Sequence, residues 1–334
     1  MNDLKNIGFY TLSDERAKHA SSTSPLWRCE LILTGKCNFK CPYCRSVGGE
    51  DLPLEQAKDT VRLWASEGLK NIRFSGGEPT LYKGLNDLVV LAKMSGIERI
   101  ALSTNGSANM TLYRRLYESG VTDFSISLDA CCAEDGDHMA GDRKGSFKRV
   151  IESIQELSKL TYVTVGVVLT TDNVGQTEKI VEYASSLGVS DIRVIPAAQD
   201  GQHLPKLNLS EDILVKYPIL RYRAGNLASG NPVRGLNGGT SKCGLVLDDM
   251  AVMGDSHYPC IIYMREGGAP IGKIGPGMRA ERKAWYETHD SYADSICSKN
   301  CLDVCVDYNN KHAGYHGVAS TGKKKIRLNI MESV

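Results

Sequence analysis

Neither sign of charge dominates this chain: 40 lysines and arginines stand against 39 aspartates and glutamates in 334 residues, a net +1. No global field gathers nucleic acid or an anionic membrane, so a polyanion would have to meet a local patch. The one such cluster is Lys323-Lys324-Lys325-Ile326-Arg327, near Tyr315 and two histidines, which reads as a solvated terminus or a steering patch. Long apolar runs are missing too: none nears the roughly 20 residues needed to span a bilayer. Met1-Asn2-Asp3-Leu4-Lys5 lacks the apolar core of a signal peptide, so a cytoplasmic protein without a membrane partner is expected. What the chain does have is eleven cysteines. In a small secreted domain they would mean disulfides; in a long chain in a reducing cytosol they point to iron–sulfur chemistry.

The length allows one barrel-sized domain and a smaller appendage. Residues 1–27 form a polar lead-in. From Cys29 the pattern alternates strand and helix six times, with strands expected at Cys29–Thr34, Asn71–Ser75, Arg99–Ser103, Asp123–Leu128, Tyr162–Thr170 and Asp191–Pro196. Phe147, Val150, Ile151, Ile154 and Leu157 recur at i, i+3, i+4, i+7 and i+10, a helical stripe. Gly68, Gly96, Gly120 and Gly188 sit where helices should stop. Such repeats predict an α/β fold with a parallel sheet, and six units are too few for a closed eight-stranded barrel. In parallel α/β sheets ligands gather at the carboxyl ends of the strands, where the chemically loaded segments all fall.

The first of these is Cys37-Asn38-Phe39-Lys40-Cys41-Pro42-Tyr43-Cys44. Three thiols at C-x3-C-x2-C on a short loop can converge on three irons of one cubane and leave the fourth iron open. A structural zinc site would want a fourth Cys or His nearby, and no such residue lies within ten positions of Cys44. Ser75-Gly76-Gly77-Glu78-Pro79 comes after the second strand, with paired glycines that let backbone approach a ligand. Ser103-Thr104-Asn105-Gly106 ends the third, and Ser125-Ile126-Ser127-Leu128-Asp129 the fourth.

These segments together resemble the radical S-adenosylmethionine (radical SAM) superfamily. The resemblance implies a partial (β/α)6 barrel over residues 28–200. It implies a 4Fe–4S cluster on Cys37, Cys41 and Cys44, with SAM chelating the open iron. It further implies cofactor contacts from Tyr43, Gly76, Gly77, Glu78, Pro79, Ser103, Asn105, Ser127 and Asp129. Arg143 is either a partner of the SAM carboxylate or a surface charge at a helix start. One-electron reduction would then release a 5′-deoxyadenosyl radical, with an external donor such as flavodoxin or ferredoxin. Cys131 and Cys132, next to Asp129, are either inert packing or hydrogen-atom donors.

Residues 201–242 read as a linker or loop-rich cover. Beyond it, over residues 243–334, Cys243, Cys260, Cys297, Cys301 and Cys305 resemble a twitch or SPASM extension. Five thiols suffice for one auxiliary 4Fe–4S cluster, with Cys243 and Cys260 as ligands and two of the last three completing it; a zinc site fits the same donors. Cysteines at i, i+4 and i+8 of one helix would put the end pair too far apart to share a cluster easily, which leaves one thiol spare.

Three substrate classes are open. The stretches from Asn6 to Arg16 and from Pro25 to Glu30 are loosely similar to phage-encoded radical SAM isomerases, which implies isomerisation of a glycyl-modified thymidine in DNA hypermodification. A ribosomal peptide, by epimerisation or thioether formation, is the second, although the amino terminus is short for a leader-binding domain. A sugar or aminocyclitol to be dehydrogenated is the third. A non-enzymatic iron–sulfur or zinc module requires that SAM not bind.

Overall fold

The computed structural model describes residues 14–45, 48–199 and 207–318. The basic run at 323–327 and the amino-terminal stretch up to Ser13 lie outside the described residues. The strands are β1 (Arg28–Ile32), β2 (Asn71–Ser75), β3 (Arg99–Thr104), β4 (Asp123–Ser127), β5 (Tyr162–Leu169) and β6 (Asp191–Pro196), then β7 (Asp249–Met253), β8 (Ser256–Tyr258) and β9 (Gly272–Lys273). They form one sheet in the order β6-β5-β4-β3-β2-β1-β7-β8-β9. Neighbours from β6 through to β7 pair in parallel. The sheet stays open, as six strand–helix units require.

Helices between the strands cover one face with the stripes the sequence shows. Helix Leu54–Ser66 buries Ala57, Thr60, Val61 and Trp64, and helix Ser146–Ser158 buries Phe147, Val150, Ile154 and Leu157. Each large side chain so buried contributes about 2–3 kcal/mol. Gly68 stops the first of them with φ of 77°, a left-handed turn that a side chain would disfavour. The expected strands hold to within one or two residues. β1 ends early because the Leu33 carbonyl accepts from the Leu52 N–H at 2.8 Å, outside the sheet, while the Thr34 hydroxyl turns to Asp51 at 2.6 Å.

Two departures affect the site. The stretch expected to be a loop-rich cover contains helices Glu211–Lys216 and Pro218–Ala228, the second opened by a proline at its first turn. The carboxy-terminal region also joins the barrel sheet, with Arg28 opposite Asp249 and Ile32 opposite Met253. An ion pair of 2.6 Å between Arg28 and Asp249 fixes that register, and Arg16 on helix Asp14–His19 holds Asp248 at 2.6 Å beside it.

Candidate active site

At the carboxyl ends of the strands lies a cavity of about 490 Å³. Cys37, Cys41 and Cys44 all line it, on the loop that leaves β1. That loop is held from below and from the side. Thr34 and Lys36 accept at their carbonyls from the Gly77 and Glu78 N–H groups, at 2.7 and 2.8 Å. The Cys44 N–H closes a turn on the Cys41 carbonyl at 2.9 Å. The Asn105 amide donates to Asn38 Oδ1 at 2.9 Å and lies 3.8 Å from the Cys37 sulfur. Burial, with Asp129 and the two neighbouring thiols, pushes Cys41 up to about 12. Cys37 and Cys44 both act electrostatically on Cys41, and a bound iron centre would supply the positive charge that reverses the shift. The donor set therefore fits a cluster.

Gly76 and Gly77 line the cavity, but their lack of a side chain serves the cysteine loop directly. A Cβ on Gly77 would sit 2.3 Å from the Lys36 carbonyl oxygen, and one on Gly76, where φ is 147°, 2.4 Å from that of Thr34. The close approach is thus to the chain's own backbone.

Glu78 is buried beneath that turn and lines no part of the cavity; nor does Pro79. Its carboxylate accepts from the Thr80 N–H at 3.0 Å, the Thr80 hydroxyl at 2.7 Å, the Thr104 hydroxyl at 2.8 Å and the Asn105 N–H at 2.7 Å. It ties the loop after β2 to the end of β3.

Ser103, Asn105, Ser127, Asp129 and Tyr43 all face the cavity. The Tyr43 hydroxyl donates to Asp129, whose other oxygen accepts from the Val168 N–H at 2.7 Å. Burial raises Asp129 to about 6. Arg143 is on neither the lining nor a carboxylate; its guanidinium donates to the Asn38 carbonyl at 2.9 Å and braces the cysteine loop from outside. Cys131 and Cys132 also miss the cavity. Cys131 lies 3.6 Å from the Gln176 side-chain oxygen, and Cys132 is exposed at the start of helix Ala133–Met139. Cys29 is a buried packing thiol in the main core.

A second, small and apolar cavity is lined by Cys243, Cys260, Cys297, Cys301 and Cys305. The last three do not share one continuous helix. Helix Ser295–Asn300 ends at Cys301, and a second helix, Asp303–His316, begins after Leu302 and carries Cys305. That break removes the geometric objection to the end pair meeting. Cys260 and Cys305 line both cavities, so the second cysteine group forms the far wall of the first.

Sequence reasoning missed several residues here. Arg282 is fully buried and donates to the carbonyls of Val246 at 2.7 Å, Tyr258 at 3.0 Å and Pro259 at 3.3 Å, which pins the segments after Cys243 and before Cys260. Arg265 reaches from the carboxy-terminal region to the Gly76 carbonyl at 3.3 Å. His289, stacked on Trp285 with ring centres 3.8 Å apart, lies 3.7 Å from the Cys297 sulfur. Only the histidine had a signal, eight residues before Cys297.

With that geometry in place, residues 31–184 match the model of the radical SAM superfamily. That segment carries a radical SAM domain. Among curated proteins it is similar to the probable GTP 3′,8-cyclase of Sulfurisphaera tokodaii, 29% identical over 59% of this chain and 64% of that one. It is similar also to GTP 3′,8-cyclase 1 of Pseudomonas aeruginosa, 27% identical over 61% and 66%. The aligned part spans just under two thirds of those relatives' length. Two solved structures share the fold of the radical SAM domain and of the carboxy-terminal region. SuiB of Streptococcus suis, bound to its precursor peptide SuiA, has a TM-score of 0.58 at 13% identity over 89% of this chain and 79% of its own. The protein anSMEcpe, with bound AdoMet and the Cp18Cys peptide, has 0.58 at 17% over 87% and 95%.

Proposed function

We propose that this radical SAM protein cleaves SAM reductively and uses the radical on a substrate held between the barrel mouth and the carboxy-terminal cysteines. One observation carries the reading: a single cavity is bounded by Cys37, Cys41, Cys44, Gly76 and Gly77 on one side and by Cys260 and Cys305 on the other. With cluster and SAM bound, the chemistry supplied is a 5′-deoxyadenosyl radical able to take hydrogen from an unactivated carbon. The chain's own part is positional. The cysteine loop and the Gly76-Gly77 turn are locked to each other, Ser103, Asn105 and Ser127 offer hydrogen bonds, and Tyr43 keeps Asp129 oriented. Cys243, Cys260 and two of Cys297, Cys301 and Cys305 are suited to an auxiliary 4Fe–4S cluster.

For the substrate we favour a nucleoside in DNA, specifically isomerisation of glycyl-modified thymidine. Its support is that the curated relatives are named for action on a nucleotide. The second reading, a peptide substrate, draws on the peptides bound in the structural neighbours.

Anaerobic reconstitution with SAM and dithionite tests the reaction. Wild type should form 5′-deoxyadenosine, and Cys41→Ala should form none; persistence in the variant refutes the assigned radical centre. Iron and sulfide near ~8 per chain are expected with two 4Fe–4S clusters, and ~4 removes the auxiliary one. Glycyl-thymidine oligonucleotide should give a product of unchanged mass and altered chromatographic retention. A mass loss from thioether formation, or an inverted residue at unchanged mass, in a peptide substrate instead decides for the second reading.

A further inference from the structure

The inner end of the main cavity carries more positive charge than its carboxylates match. Among the lining acids, Asp249 pairs with Arg28 at 2.6 Å, Glu266 with Arg45, and Asp129 with the Tyr43 hydroxyl. Glu30 accepts from the Ser75 hydroxyl at 2.5 Å. Arg73, Arg193 and Arg234 also line the cavity, and no ion pair to a carboxylate holds any of them among the described residues. Arg73 donates to the Ser103 hydroxyl at 2.7 Å, and Arg234 to the Pro196 carbonyl at 2.8 Å. Arg193 reaches across the barrel from β6 to the Ser125 hydroxyl on β4 at 3.3 Å, and its Nε is buried without a hydrogen-bond partner. It passes Gly166 of β5, where a Cβ would come within 3.3 Å of the guanidinium.

Held this way, the cations repel one another. Burial and the neighbouring Arg73 and Arg223 pull Arg193 down to about 9 against the attraction of Glu30, and burial with Arg223 and Arg45 pulls Arg234 to about 10. A half-buried cation without an ion pair costs folding free energy, so the arrangement makes physical sense when a ligand completes it. We infer that Arg73, Arg193 and Arg234 form an oxyanion subsite at the inner end of the cavity, which takes a carboxylate or phosphate group of the substrate. Planar guanidinium forks match both groups bidentately. A glycyl substituent supplies the first and a nucleotide backbone the second. This assignment rests on the substrate occupying the cavity as proposed above.

The test uses the full chain, anaerobically reconstituted, titrated with inorganic phosphate and with acetate at constant ionic strength balanced by chloride, with Tm read by thermal shift. At least one anion should raise the Tm of wild type. Phosphate alone would assign a phosphate as the recognised group, and acetate alone a carboxylate. Arg193→Met should weaken the response at least ~10-fold, and its Tm without anion should rise by about 2 °C, because an unmatched charge is gone. Arg73→Met should weaken the response likewise. No response from wild type, an equal response in both variants, or a lower resting Tm in Arg193→Met overturns the subsite. A wild type that binds the anion but forms no 5′-deoxyadenosine would instead overturn the radical reading and leave the subsite standing.

Discussion

At the scale of single residues, the acid that looks most chemical works as a fastener. Glu78 stands in the segment expected to hold SAM, yet its oxygens are filled by four donors from Thr80, Thr104 and Asn105. Burial still pushes its carboxyl upward against those hydrogen bonds. Replacing it by alanine strands buried backbone and hydroxyl donors, at about 2–4 kcal/mol. Urea unfolding of Glu78→Ala should show that loss, and an unchanged midpoint would show that the network contributes nothing. Gly77 is constrained as tightly. Gly77→Ala drives a methyl into the Lys36 carbonyl, so the cysteine loop must shift and iron incorporation should fall several-fold. Iron content of purified protein checks this without any turnover assay.

At the scale of elements, the decisive feature is the seventh parallel strand. β7 comes from the carboxy-terminal region yet pairs with β1 along its whole length. It is secured at its start by Arg16, buried on helix Asp14–His19, which donates to both oxygens of Asp248 at 3.1 and 2.6 Å and stacks over the Tyr308 ring at 4.9 Å. Removing one member of a buried pair leaves the other charge uncompensated, so Arg16→Ala should cost about 3–5 kcal/mol. Denaturant melts should show that loss. A cost below about 1 kcal/mol would mean the strand pairing stands without the latch. The helix break at Cys301 and Leu302 belongs to this scale too. Because Cys301 ends one helix and Cys305 lies in the next, five sulfurs can surround one small cavity.

For the whole molecule, pH dependence comes from charges the fold has buried. Asp191 opens β6 fully buried, and desolvation raises it to about 7 despite N–H donors from Ile192 and Ile219. The folded state then binds its proton more tightly than the unfolded chain. That contribution is fully present below the ordinary carboxyl pKa, near 4, and is lost as pH rises through about 7. Urea midpoints from about pH 4.5 to 8 should decline in wild type and decline less in Asp191→Asn; parallel slopes would remove Asp191 as the cause.

The likeness to the radical SAM superfamily was legible because the residues that carry it are local. C-x3-C-x2-C and the glycine pair are each set by a few neighbouring residues, and strand and helix periods repeat within short windows. The six barrel strands could be read for that reason. What tertiary structure alone decided were contacts between distant positions. These are the locking of Glu78, the placing of Cys131 and Cys132 outside the cavity, the Arg282 clamp, and the gathering of Arg73, Arg193 and Arg234 from β2, β6 and a loop beyond residue 230. An arginine in a strand carries no local mark of what it will face across a barrel. Its partner is chosen by the curling of the sheet, which no short window of sequence encodes.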